Sequence, residues 1–181
     1  MSEPYIPQPG RRVSICEMQQ IHSTGKDGGE QTAPTYAILP NGEKAYRFFW
    51  IGVLTDTKKD EKGGITGSLS DPTGLLRMKV HPLYQTKAYA ALSSIVAPCF
   101  IAVSGKVNIF VPPDAKDGDR FISLKPDDLA EATRIDRLLW TRETLQATDN
   151  RYPEVPEWWN AERQRLVTLI DEESQKAAVP A

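Results

Sequence analysis

Apolar and polar positions alternate through the middle of the chain with the period of two that marks a half-buried strand. Leu76, Met78 and Val80 alternate with Arg77, Lys79 and His81; Val103, Gly105, Val107 and Ile109 alternate with Lys106, Asn108 and Phe110. From Ala45 to Thr57 aromatic and β-branched residues dominate, which predicts the strongest strand. There the sets Tyr46, Phe48, Trp50 and Arg47, Phe49, Ile51 compete for the inward face. Thr35 to Leu39 predicts a strand before it, and Asn41-Gly42 suits a two-residue type I′ turn joining the two as a hairpin. Ile65–Ser70 and Leu75–His81 flank Asp71-Pro72-Thr73-Gly74, with Asp, Pro and Gly at their favoured turn positions. Tyr84 to Val96 has helical spacing, with Ala88, Ala91, Leu92 and Ile95 on one side, and Arg120 to Leu124 supplies a last short strand.

Strand, strand, strand, helix, strand, strand is the order of an OB-fold. The expected class is mainly β with C-terminal helices: a five-stranded OB-fold Greek-key barrel, preceded by an N-terminal hairpin strand and followed by two helices. Residues 1–34 read as a flexible N-terminal extension, with Pro4, Pro7, Pro9 and Gly10 in its lead-in and Val13–Ile21 as a short strand or helix. Residues 35–125 form the barrel, and residues 126–181 a helical, partner-binding region. Pro126 ends the strands, and Asp127 and Asp128 suit the positive end of a helix. On a helical wheel Ile135, Leu138, Leu139, Arg142 and Leu145 share one side, with Trp140 away from it. A second helix begins near Pro156, with Trp158, Trp159, Leu166, Leu169 and Ile170 on one face.

Charge changes this picture locally. The net charge of −2 divides into −1 up to Lys44, +4 between Ala45 and Lys125, and −5 from Pro126 onward. A locally basic barrel permits nucleic-acid binding without demanding it. Cys16 and Cys99 alone build neither a disulfide framework nor a cysteine zinc site. No apolar run approaches the ~18 residues of a membrane helix, and Met1-Ser2-Glu3-Pro4 opens no signal segment. The expected address is the cytoplasm, at the nucleoid, with no membrane partner. Enzyme motifs are absent: Ser23-Thr24-Gly25-Lys26 fails as a phosphate loop because Gln20 and Asp27 stand where Gly and Ser/Thr are needed. No catalytic residue, metal ligand or cofactor is expected.

The outward set of the third strand, Arg77, Lys79 and His81, lies where OB barrels usually hold oligonucleotides. In the fourth strand, Lys106 beside Phe110 pairs a cation for a phosphate with a π-face for a base. Phe110 either stacks on a base or plugs the barrel. Arg47 joins the candidate set if its side faces out. Lys58, Lys59 and Lys62 sit in a loop diluted by Asp60 and Glu61. Ile135, Leu138, Leu139, Arg142 and Leu145 either fold back on the barrel or receive a partner helix.

The run from Ala33 to Lys44, Gly52-Val53-Leu54-Thr55, Asp71-Pro72-Thr73-Gly74 and Val103-Ser104-Gly105-Lys106 resembles the archaeal replication-protein-A-associated proteins. So do Arg134, Trp140-Thr141-Arg142-Glu143-Thr144 and Arg151-Tyr152, and the match extends over most of residues 33–152. More distantly, the barrel is similar to the middle subunit of replication protein A. The resemblance implies a single-stranded-DNA-binding accessory subunit in replication and repair. Its partners would be the replication protein A large subunit and a further small OB-fold subunit. It implies that Phe110 matches a DNA-stacking aromatic, and that Val80 and His81 stand at a second stacking position where this chain has no large ring. It also implies that the helix after the fifth strand assembles the complex. Two other roles stay open: an adaptor that leaves DNA to its partner, and a telomere-capping-like use of the same barrel.

Overall fold

The computed structural model describes residues 9–29, 33–116 and 118–178. In chain order the elements are β1 (Arg11–Arg12), α1 (Ile15–Gln19), β2 (Thr24–Lys26), β3 (Thr35–Ile38), β4 (Lys44–Ala45), β5 (Phe48–Lys59) and β6 (Ile65–Asp71). There follow β7 (Gly74–Val80), α2 (Thr86–Ser94), β8 (Cys99–Phe110), β9 (Phe121–Glu131), α3 (Arg134–Arg151) and α4 (Glu157–Ala178). The sheet runs β1-β5-β6-β7-β9-β8 and closes through β5–β8. Among the five barrel strands only β7 and β9 pair in parallel. This is the closed OB barrel, with one added strand at β1 and helices after it.

The alternating residues fill its interior. Phe48 and Trp50 settle the contest in β5 by facing inward, at 1% and 0% exposure, beside Leu54, Leu69, Met78, Val80, Ile101 and Leu124. The Trp50 indole donates to Asp71 Oδ2 at 3.2 Å, so the one polar atom of the largest core ring is satisfied. Asp71 also accepts from the Ile15 amide at 2.8 Å and, at its other oxygen, from the Thr73 amide and hydroxyl. The β6–β7 turn is thereby tied to α1.

Four expectations change. The hairpin of β3 and β4 forms, but within a separate three-stranded sheet β2-β3-β4. Its turn is not type I′, since no residue but glycine has positive φ. Instead Gly42 donates to the Leu39 carbonyl and takes φ +87, closing a Pro40-Asn41 turn with a left-handed glycine. Of residues 1–34, expected as a flexible extension, 1–8 and 30–32 lie outside the described residues, whereas Val13, Ile15, Met18 and Ile21 are at 0% exposure in the barrel core. Apolar spacing interrupted by polar Glu17 concealed that α1 is a core element.

The last strand does not end before Pro126. β9 runs on to Glu131, because a bulge between Ser104 and Gly105 leaves Asp127 as the extra residue and places proline where the ladder is interrupted. Gly105 is required there: a Cβ would lie 2.4 Å from the Lys125 carbonyl oxygen. Asp127 and Asp128 consequently sit in a strand and bind Arg47 and Lys87. The helix begins instead at a capping box of Thr133 and Asp136.

The fourth change concerns α3. It packs on the barrel through Trp140, Thr141, Thr144 and Thr148, all at 2% exposure or less, on the side opposite the apolar stripe. Trp140 lies edge-on to Trp50 at 6.2 Å and donates to the Phe49 carbonyl. Helix α4 returns antiparallel to α3, fixed by Arg163 to Asp149 and by Arg134 to Glu173. Trp159 and Leu166 are buried against Cys16, with Leu145 and Trp158 packed beside them.

Candidate nucleic-acid interface

The site grows out of the parallel pair β7–β9, in register at Arg77–Ser123 and Met78–Leu124. With Leu76, Met78 and Val80 inward at 4% exposure or less, Arg77 and Lys79 must point to solvent. In β9, Leu124 faces in while Phe121 and Lys125 face out. Two open grooves follow these outward rows. One of about 610 Å³ is lined by Ser68, Leu75, Arg77, Arg120, Phe121 and Ser123. The next, of about 320 Å³, is lined by Lys79, His81, Tyr84, Asn108, Ser123 and Lys125. Ser123 belongs to both, so they form one path along the barrel.

Aromatic faces stand at both ends of that path. Phe110 and Phe121 are directly opposed across the β8–β9 ladder and are 55% and 66% exposed. An apolar ring in that state is not plugging the barrel. At the other end Tyr84 is 78% exposed, its ring 5.1 Å from the His81 imidazole and tilted by 36°. Tyr84 thus supplies a large ring beside the position where strand β7 has only His81.

The cations are not equivalent. Lys79 pairs with Asp60 at 2.9 Å, and that hydrogen bond, with one from the Gly64 amide, holds the Asp60 carboxyl below its ordinary range. Arg47 donates twice to Asp127 Oδ2, at 3.2 and 2.9 Å. Arg120 donates to the carbonyls of Gln19 and Ile21, bracing the hairpin between β8 and β9 against the α1 segment. Among the described residues Arg77, Lys106 and Lys125 make no ion pair. The three are exposed and face anions unneutralised.

Of the residues read from sequence, Arg77, Lys79 and His81 line the path, Lys106 stands beside it opposite Lys125, and Phe110 stands opposite Phe121. Arg47 is taken up by Asp127. Tyr84, Arg120, Phe121 and Lys125 were not singled out. Alternation within β9 carries the signal for Phe121 and Lys125; helical spacing over Tyr84–Val96 puts Tyr84 in a helix that in fact begins only at Thr86.

The helical candidates divide. Ile135 and Leu139 are open, at 69% and 51% exposure. Leu138 and Leu145 are half-buried, and Arg142 donates to Ser174 of α4 at 2.7 Å. Helix α4 therefore covers one flank of the stripe and leaves the other free. Among the described residues no helix is long and apolar enough to cross a membrane, and no group of three metal-ligating side chains converges.

The fold is that of an OB barrel followed by helices. A chain of a replication protein A heterotrimer bound to single-stranded DNA superposes with a TM-score of 0.53, at 14% identity, covering 80% of this chain and 98% of that one. A chain of the Schizosaccharomyces pombe Stn1–Ten1 complex gives 0.60, at 12% identity, covering 79% and 93%. At these identities the likeness is one of fold. No protein-family model and no curated protein matches the sequence.

Proposed function

We propose that this chain is a single-stranded-DNA-binding subunit of a replication-protein-A-type complex. The observation that carries this reading is the open path along β7–β9, where unpaired Arg77 and Lys125 alternate with exposed Phe121 and Tyr84. A cationic groove tracks the backbone and rings stack on bases of any sequence. The fold likeness to a heterotrimer bound to single-stranded DNA supports the same assignment. The resemblance over residues 33–152 refines it to an accessory subunit of an archaeal replication protein A complex, acting in replication and repair. Its proposed partners are the large subunit and a small OB-fold subunit, in the cytoplasm at the nucleoid. Titration with labelled oligo-dT at low and moderate salt tests the reading. Binding that weakens with salt and with Arg77→Ala or Phe110→Ala supports it; no binding at low salt refutes it.

A second reading, a non-enzymatic adaptor, is favoured by the loss of Lys79 and Arg47 to internal carboxylates and by the free Ile135–Leu139 flank. Leu139→Glu then abolishes co-purification with the large subunit. Because Leu139 is 51% exposed, the unfolding free energy from urea titration stays within about 0.5 kcal/mol of the parent.

A further inference from the structure

Lys106 of β8 and Lys125 of β9 are direct register partners in an antiparallel ladder, both exposed and neither in an ion pair among the described residues. Side chains so opposed stand about 5 Å apart at Cβ, and like charges there repel. Nearby acids do not relieve them: Asp127 is held by Arg47 and Asp128 by Lys87. A ladder that keeps two facing ammonium groups without a counterion presents a site for an external anion.

That pair lies at the mouth of a cleft the barrel alone does not make. Thr24 and Thr35 of the added sheet β2-β3-β4 line, together with β8 and the turn before α2, a cleft of about 380 Å³. Its walls carry Thr24 and Thr35 from the sheet, Asn108 and Lys106 from β8, and Tyr84 and Gln85 from the turn before α2. The Gln85 side-chain oxygen Oε1 accepts from the His81 amide at 2.9 Å, which leaves its side-chain N–H groups to the cleft. Tyr84, Gln85, Asn108 and Lys125 also line the groove of about 320 Å³, so the cleft continues the path along β7–β9. The volume suits one small ligand. Its chemistry is a cation pair, a phenol ring, two amides, two hydroxyls and the carboxylate of Asp127, whose charge Arg47 meets at 2.9 Å.

We infer that this cleft is a nucleotide seat. Lys106 and Lys125 share one phosphate of the single strand, and its base enters between Tyr84 and the amides of Asn108 and Gln85. The seat deepens the single-strand-binding reading and rests on it. It gives the path a fixed end, with the amides of Asn108 and Gln85 able to read a base edge.

The test uses the full chain and Lys106→Gln/Lys125→Gln, with circular dichroism confirming an unchanged fold. In oligo-dT titrations across salt concentrations, the double variant should lower the log–log slope by about 0.7, the value for a single phosphate contact. An unchanged slope overturns the shared-phosphate seat. Separately, dTMP, inorganic phosphate and thymidine are titrated while backbone amide resonances are followed. The seat requires dTMP to shift Tyr84, Lys106, Asn108 and Lys125, to bind more tightly than phosphate or thymidine, and to lose that response in the double variant. Asn108→Ala should weaken dTMP several-fold without altering the oligonucleotide salt slope. Failure of dTMP to shift these residues overturns the seat even if oligo-dT binds. Failure of oligo-dT alone refutes the broader function and leaves the dTMP result to judge the cleft.

Discussion

Arg151 donates two hydrogen bonds to the fully buried carboxylate of Glu17, Nε to Oε1 at 2.9 Å and Nη2 to Oε2 at 2.6 Å, across 134 residues of chain. The Tyr152 hydroxyl donates to the same Oε1 at 3.1 Å. This cluster fastens the end of α3 to α1, so the N-terminal segment, the barrel and the helices are closed together. Removing one member of a buried ion pair leaves an uncompensated charge and costs about 3–5 kcal/mol. Glu17→Ala and Arg151→Ala should each lower unfolding free energy by about that amount in urea titrations. A loss under about 1 kcal/mol would mean that water solvates the pair.

Acid should loosen α4. Burial raises the Asp149 carboxyl, but hydrogen bonds from Arg163 and the Trp159 indole outweigh it and hold the group below its ordinary value of 3.8. A carboxylate depressed in the folded state stabilises above its unfolded pKa, and that contribution is lost as pH falls through the folded value. Tryptophan fluorescence should therefore report a transition below about pH 4, and Asp149→Asn should flatten that limb. An unchanged acid limb in the variant would remove Asp149 from the account.

The two cysteines should react very differently. Burial pushes the Cys16 thiol up to about 11, and it is 5% exposed. At pH 8 roughly one part in a thousand is thiolate, the form that attacks a disulfide reagent. Cys99 is half-buried and is raised by burial and by Glu131, yet reagent can reach it. Native protein should titrate one thiol slowly with a chromogenic disulfide, and the second only in denaturant. Rapid release of two equivalents from native protein would contradict the packing of α4 over Cys16.

Two exposed rings beyond Phe110 should matter for single-strand binding. Tyr84→Ala and Phe121→Ala should each weaken oligo-dT by about 1–3 kcal/mol, the value of a base on an aromatic platform. Arg47→Ala should leave affinity nearly unchanged, because its charge is already met by Asp127. The reverse ranking would place the strand on the wrong side of the barrel.

The barrel was legible because its interior is built by simple alternation: Leu76, Met78 and Val80 can only face one way together. The helical packing was not, for a physical reason. Apart from Trp140, the buried side of helix α3 is three threonines, and two of them bury their hydroxyls by donating to carbonyls four residues back, Thr141 to Arg137 and Thr148 to Thr144. Threonines satisfied within their own helix pack as apolar residues, and a hydrophobicity pattern does not register them. The apolar stripe led by Ile135 and Leu139 therefore lies on the side turned away from the barrel. Pro126 was misleading in a similar way: proline ends a regular ladder, whereas a bulge at the next residue of its own strand, Asp127, admits it. Within the site, Arg77, Lys106 and Phe110 followed from strand parity. Tyr84 lies in a turn, where no period applies.

Continuation of β9 through Pro126 gives one strand two ends with different duties. Phe121, Ser123 and Lys125 lie along the grooves, and Glu131 leads within three residues into α3. The span from Phe121 to Glu131 is about 33 Å at the rise of an extended chain, and its pairing with β8 makes it a stiff rod rather than a tether. Whatever docks on the Ile135–Leu139 flank is therefore held at a set distance and angle from the grooves. A linker would leave that geometry to diffusion; here the barrel wall is itself the ruler.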